Sequence, residues 1–150
     1  MHLPHYHLFI GFGDPRKEFW LGNDFIHEMT SRIGVKHNLL VYAKQYTGET
    51  EISKYGSFYI ENESQDYTIH FNDTLLAGVQ TFSGEKNLNG MKFHTSDRMH
   101  GSFCNGLNGP FWLASCSFLD PHRPTHIRWR QWVGEDDKIQ EIQLMFKVTA

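Results

Sequence analysis

Several things are scarce in this chain of 150 residues, and each scarcity closes off a class of function. Only two cysteines occur, Cys104 and Cys116, too far apart for the Cys-x-x-Cys arrangement of a redox pair or zinc knuckle. No apolar run approaches the ~20 residues needed to span a bilayer. The N-terminus, MHLPHYHLF, has neither the basic start nor the apolar run of a secretory leader. Charge is nearly balanced, with 14 Lys and Arg against 17 Asp and Glu for a net charge of -3. There is therefore no electrostatic footprint for nucleic acid or an anionic membrane. A GxSxG elbow, a phosphate-binding glycine loop and a metal triad are all missing. His27-Glu28 begins like a zinc-protease HExxH helix, but Ser31 stands where the second histidine belongs. Asp136-Asp137 reads as a charged turn, and His2, His5 and His7 as a frayed terminus rather than a metal site. Nothing here supports catalysis. No repeat, linker or low-complexity segment divides the chain.

What is abundant is aromatic side chain: twelve Phe, six Tyr and four Trp. A chain of this length fits one domain and can bury most of the surface that its unfolded form exposes. The stretch from Gly11 to Thr30 organises the reading. It holds a glycine-bounded turn, the apolar triplet Phe19-Trp20-Leu21, and a short helix with Asn23 as cap and Asp24 at its positive end. Phe25, Ile26 and Met29 are expected on its buried side, with the triplet as anchor, because two turns of helix are not stable alone. Strands are expected over 36–43, 55–60 and 67–71, with a turn around Gly48 and a hairpin loop over 61–66. Residues 72–90 read as loop. Alternation of Ile142, Leu144, Phe146 and Val148 with polar neighbours predicts a half-buried strand over 139–148. The alternation from Ile127 to Trp132 reads as an ordinary amphipathic strand rather than a nucleic-acid-binding one. Two N-glycosylation triplets occur, Asn62-Glu63-Ser64 and Asn72-Asp73-Thr74.

Several of these stretches form an ordered series: Gly11-Phe12-Gly13, Glu18 to Asn23, Ile26-His27, Tyr55 to Phe58, Asn89 to Phe93, Thr95 with Asp97, the two cysteines flanking Phe111-Trp112, then Ile127-Arg128-Trp129 and Trp132. The series resembles the fibrinogen C-terminal domain family, which includes fibrinogen's globular ends, ficolins, tachylectins, angiopoietins and tenascin tips. The resemblance implies an α+β fold with a mostly antiparallel central sheet, short helices and a loop-rich C-terminal ligand region. Met1 falls just before the Gly-Phe-Gly motif. Residues 1–150 are therefore expected to be a single partial domain, without the N-terminal subdomain and its disulfide. Loss of a sheet strand would leave an unpaired edge through which copies could form a homo-oligomer.

The same resemblance implies a secreted, non-catalytic recognition module, lectin-like and of the innate-defence type, that binds glycans or acetylated groups. The alternative within the family is a protein-binding or assembly module of the angiopoietin and tenascin type; a fragment without binding function is the third reading. Partners are glycans or extracellular proteins, with no nucleic acid and no membrane span. The resemblance pairs Cys104 with Cys116 as a disulfide, closing a loop at a gain of roughly 3 kcal/mol. Two thiols in a reducing compartment are the other reading. Calcium is the one cofactor the family suggests. Asp97 matches its first acidic ligand, but Met99 stands at the second, and a thioether is a poor ligand for a hard cation. An acetyl-group pocket would have Phe111 and Trp112 as floor, Ser117 where the lectin branch has His, and Arg123 and His126 in a shortened wall loop.

Overall fold

A computed structural model describes residues 12–13, 19–83, 87–94, 111–112, 119–120, 128–129 and 139–149. In chain order these form β1 (Phe12–Gly13), β2 (Phe19–Trp20), α1 (Asn23–Thr30), β3 (His37–Gln45), β4 (Thr50–Ile60), a 3-10 turn (Glu63–Gln65), β5 (Ile69–Gly78), β6 (Phe93–His94), β7 (Phe111–Trp112), β8 (Leu119–Asp120), β9 (Arg128–Trp129) and β10 (Ile139–Val148). The frame is a four-stranded antiparallel sheet in the order β10-β3-β4-β5. This is the mostly antiparallel α+β architecture expected from the motif series, with one short helix among the described residues.

Period-2 patterning builds the sheet's centre. Along β3, His37, Leu39, Val41, Ala43 and Gln45 are buried while the residues between them are half-exposed. Its register pairs Leu39 with Phe146 and Val41 with Leu144 on β10, and Leu39 with Tyr55 on β4. The expected C-terminal strand is present with the same limits, although Val148 at its end is exposed. On β4 the alternation breaks: Ser53 and Tyr55 are buried, then Phe58 and Ile60. A register irregularity between Gly56 and Tyr59, with Ser57 at φ 54°, shifts the inward phase by one residue. The loop expected over 72–90 is wrong at its start, because β5 runs on to Gly78. That glycine has φ 86°, and a Cβ there would collide with the carbonyl oxygen of Ile52, so the strand can end there only on glycine.

The helix lies where expected but presents a different face. Asn23, Ile26 and Thr30 are buried, Met29 is half-buried, and Phe25 is 48% exposed. Nor does Asn23 cap the helix: Gly22 occupies that position, and Asn23 Oδ1 accepts from Trp20 Nε1 at 2.8 Å. The helix is pinned to the end of β4 by Thr30 Oγ1, which donates to Ile26 O at 2.7 Å and accepts from Ile60 N at 3.2 Å. His27, the residue that mimics a zinc ligand, has Nδ1 at 2.7 Å from the Ile60 carbonyl oxygen and so serves the same attachment.

Tyr55 fixes the return of the chain after β5. Its hydroxyl accepts from the amides of Thr81, Phe82 and Ser83 at 3.0, 3.1 and 3.2 Å and lies 2.9 Å from Ser83 Oγ. A side chain thereby satisfies amides that no strand pairs. Phe82 is held by this clasp between Phe71, at 6.1 Å between ring centroids, and Phe111, at 5.8 Å.

His37 gives the sheet a pH dependence. It is 2% exposed, packs edge-on against Phe146 at 5.6 Å, and its Nδ1 has no hydrogen-bond partner among the described residues. Burial, with the Arg32 charge adding to it, lowers its pKa below 6.5. The unfolded chain therefore takes up this proton at a higher pH than the fold does. The stability is complete above pH 6.5 and is lost as the pH falls toward the folded value. In urea titrations, acidification below pH 6.5 should lower the natural chain's midpoint more than that of His37→Leu. An equal fall in both proteins would contradict this role.

Candidate functional site

The region that the sequence marks for ligand binding is attached to the sheet through one strained turn. Asp66 and Tyr67 have φ of 53° and 50°, the left-handed region that non-glycine residues enter at a cost. The turn survives because both residues are tied down. Tyr67 N donates to Asn62 O at 3.0 Å, the buried Tyr67 ring sends its hydroxyl to Asp24 Oδ1 at 2.7 Å, and Lys92 Nζ lies 3.6 Å from Asp66 Oδ2. The carbonyls of the two residues then serve as attachment points. Phe93 N donates to Asp66 O at 2.9 Å, and Trp112 Nε1 donates to Tyr67 O at 2.8 Å.

The residues so held, Phe93 and Trp112, are register partners in the two-residue ladder of β6 and β7, and their rings meet edge to face at 4.9 Å. Trp20 completes the cluster at 5.9 Å from Phe93 and 6.0 Å from Trp112. Phe111 joins Trp112 at 5.2 Å. Each such contact adds roughly 0.5–1.5 kcal/mol beyond the area it buries. The Asn89-Gly90-Met91 segment approaches from the side of β5. Gly90 N donates to Ile69 O at 2.8 Å, Ile69 N to Met91 O at 3.1 Å, and Phe71 N to Asn89 Oδ1 at 3.0 Å. The motif thus acts as a short edge partner for the start of β5.

Two candidate loops are closed at their bases by short ladders. Pairing of His94 with Phe111 joins the ends of residues 95–110, the segment that carries Asp97 and Cys104. Pairing of Asp120 with Arg128 joins the ends of residues 121–127, which carry Arg123 and His126. Asp97, Met99, Cys104, Cys116, Ser117, Arg123 and His126 lie outside the described residues. Phe111 and Trp112 are 0% and 2% exposed, so packing occupies their ring faces. Asn62 and Asn72 are both exposed.

Sequence reasoning named Tyr67 as the start of a strand, Asp24 as a charge at the helix's positive end and Tyr55 as part of the motif series, but missed the role of each. The partners of these side chains are 26 to 45 positions away in the chain, so nothing local could show them. No group of three His, Cys, Asp or Glu residues suited to a metal occurs among the described residues. At positions 97 and 99 the chain offers one carboxylate and a thioether, which does not match calcium's demand for several oxygen donors.

Comparison with known proteins adds a family-level match. The family profile for the fibrinogen beta and gamma chains, C-terminal globular domain, matches residues 5–148. Human Angiopoietin-2 is 26% identical over an alignment that covers 92% of this chain and 30% of that protein. Techylectin-5A of Tachypleus tridentatus is 25% identical, with 92% of this chain and 50% of that protein covered. The chain thus spans a third to a half of the relatives it matches. Among solved structures, the fibrinogen-like globe domain of human ANGPTL6 superposes with a TM-score of 0.80 at 23% identity, covering 97% of this chain and 70% of that one. Lamprey fibrin D-dimer, solved with the peptide Gly-His-Arg-Pro-amide, gives a TM-score of 0.75 at 19% identity, covering 93% of this chain and 54% of that one. At these identities the structural likeness concerns the fold.

The attachment through Trp112 generates a direct test. Trp112→Phe keeps an aromatic ring but leaves the Tyr67 carbonyl without its donor and opens a small void. Chemical denaturation should show a loss of roughly 2–4 kcal/mol. A loss under about 0.5 kcal/mol, the range of an ordinary surface substitution, would show that the indole hydrogen bond does not hold the ladder.

Proposed function

The chain belongs to the fibrinogen C-terminal globular domain family, and from that membership we propose that residues 1–150 act as a single partial domain for extracellular, non-catalytic recognition. The family is one of binding modules rather than enzymes. Among the described residues no helix is long and apolar enough to cross a membrane. The observation that carries the reading is the pair of loops closed by ladders, one of them rooted on the aromatic cluster beneath it. A rigid base under variable loops is the usual arrangement of a binding surface, because the base fixes where the loop side chains can go.

The ligand class that the loop chemistry favours is a glycan. Arg123 supplies planar donors and His126 one donor and one acceptor, which suits sugar hydroxyls. Ser117 follows Cys116 with only a hydroxyl where the lectin branch has an imidazole, so recognition of the acetyl group is weak. Secretion would supply the oxidising conditions that a Cys104–Cys116 bond requires, and that bond would hold Ser117 near the base of the first loop. The relatives named Angiopoietin-2 favour a second reading, in which the same loops meet a protein surface. In a glycan array, the chain should bind sugars without preferring acetylated over non-acetylated forms. His126→Ala should remove that binding without altering the melting temperature. Absence of binding to any glycan at array densities would discard the sugar reading and leave the protein-recognition one.

A further inference from the structure

Among the described residues, backbone covers the β5 side of the sheet for only half its length. Asn89, Gly90 and Met91 bond to Ile69 and Phe71, Asn87 Nδ2 reaches the Asp73 carboxylate at 2.7 Å, and among the described residues no backbone cover continues past Phe71. From Asn72 to Gly78, β5 is the last strand of the sheet, and among the described residues no further strand pairs with it. An uncovered, partly apolar edge is a template for pairing with another chain. Leu76 aggravates this, being 58% exposed. Gly56 is the register partner of Asn72, and a Cβ on Gly56 would lie 3.4 Å from Leu76 Cδ1. Leu76 and Asn72 therefore lie on the same face, side by side, at the point where the cover ends.

Asn72 also begins one of the two glycosylation triplets. It is exposed, and its Oδ1 accepts the backbone N–H of Thr74 at 3.0 Å, which orders the triplet and leaves the Nδ2 amide as the group for modification. Asp73 and Thr74 are exposed as well. We propose that Asn72 is N-glycosylated and that its glycan shields Leu76 and the open half of β5, keeping copies of the domain from pairing edge to edge. The transfer forms a bond between Asn72 Nδ2 and the anomeric carbon of an oligosaccharide carried on a lipid diphosphate. The lipid diphosphate departs, and one Nδ2 proton is lost to solvent. Asn62, the other acceptor, lies in the turn before β5, where Ser64 Oγ donates to its Oδ1 at 2.6 Å. A glycan there leaves the open half of the edge untouched.

The inference rests on the extracellular reading, so the test supplies secretion independently: the chain is expressed behind a heterologous signal peptide in a eukaryotic host. Peptide mapping by mass spectrometry should find a glycan on Asn72. Light scattering after size exclusion should show a monomer for the natural chain, for Thr74→Ser and for Asn62→Gln. Asn72→Gln and Thr74→Ala should both lose the monomer to larger species as concentration rises. Thr74→Ala is the more telling of the two, because it removes the acceptor signal while keeping both Asn72 and the Thr74 N–H bond to it. The proposal is overturned if Asn72 is unmodified in the secreted protein, or if Thr74→Ala stays as monomeric as the natural chain. Equal association of Asn62→Gln also overturns it, since the shielding would then not be specific to the edge. With secretion supplied by the added signal peptide, none of these outcomes depends on whether the natural protein leaves the cell.

Discussion

The hydrogen bond from the Trp112 indole to the Tyr67 carbonyl, 2.8 Å long and buried, is the constraint on which the arrangement beyond the sheet depends. It joins residues 45 positions apart in the chain, and its acceptor belongs to a residue in a backbone conformation that costs energy to hold. The strain is offset by what the turn makes possible. With Asp66 and Tyr67 turned as they are, two carbonyls point at Phe93 and Trp112, and a ladder only two residues long acquires the support of the whole sheet. Without that anchorage, β6 and β7 would be a hairpin too short to persist in water. The segment 95–110, whose ends that ladder joins, would then have no fixed base.

A common device recurs wherever regular structure stops. Tyr55 accepts three successive amides, Asn89 stands in for a strand partner to Phe71, and Asn23 spends its side chain on Trp20. Each uses a side chain to satisfy a polar group that no ladder or helix reaches, which a loop-rich fold must do for every buried amide. The aromatic abundance has the same origin. Large rings cover irregular backbone that short strands cannot pave, and the polar ends of Tyr and Trp serve as the hydrogen-bonding partners.

The sequence made the family legible because its motifs are the anchoring residues themselves: Trp20, Asn89 to Phe93, and Phe111-Trp112 all join the cluster or its attachment. Strand β10 was legible because both its edges and its alternation are local properties. The inward phase of β4 was not, since the irregularity at Gly56 and Ser57 moves burial from Tyr55 to Phe58, and a lone glycine inside a strand does not say whether the phase will shift there. Asn23 and Phe25 were misread for a related reason. A capping residue and an apolar one look alike in any short helix, and only the contact with Trp20 decides which face turns inward. At the candidate site, Phe111 and Trp112 could be chosen from sequence as aromatic groups near the ligand region. Their burial could not, because it depends on distant residues: Tyr67 for Trp112, and Phe82 for Phe111.

Hydrogen exchange followed by NMR tests this dependence most directly. The Phe93 amide and the Trp112 indole N–H are the two donors that fasten the ladder to the turn, and Val41 lies at the centre of the sheet. If the attachment is as tight as the fold requires, both protons exchange only by global unfolding, at the same opening free energy as the Val41 amide. Exchange of Phe93 and Trp112 through a much cheaper local opening, with Val41 still protected, would contradict the account.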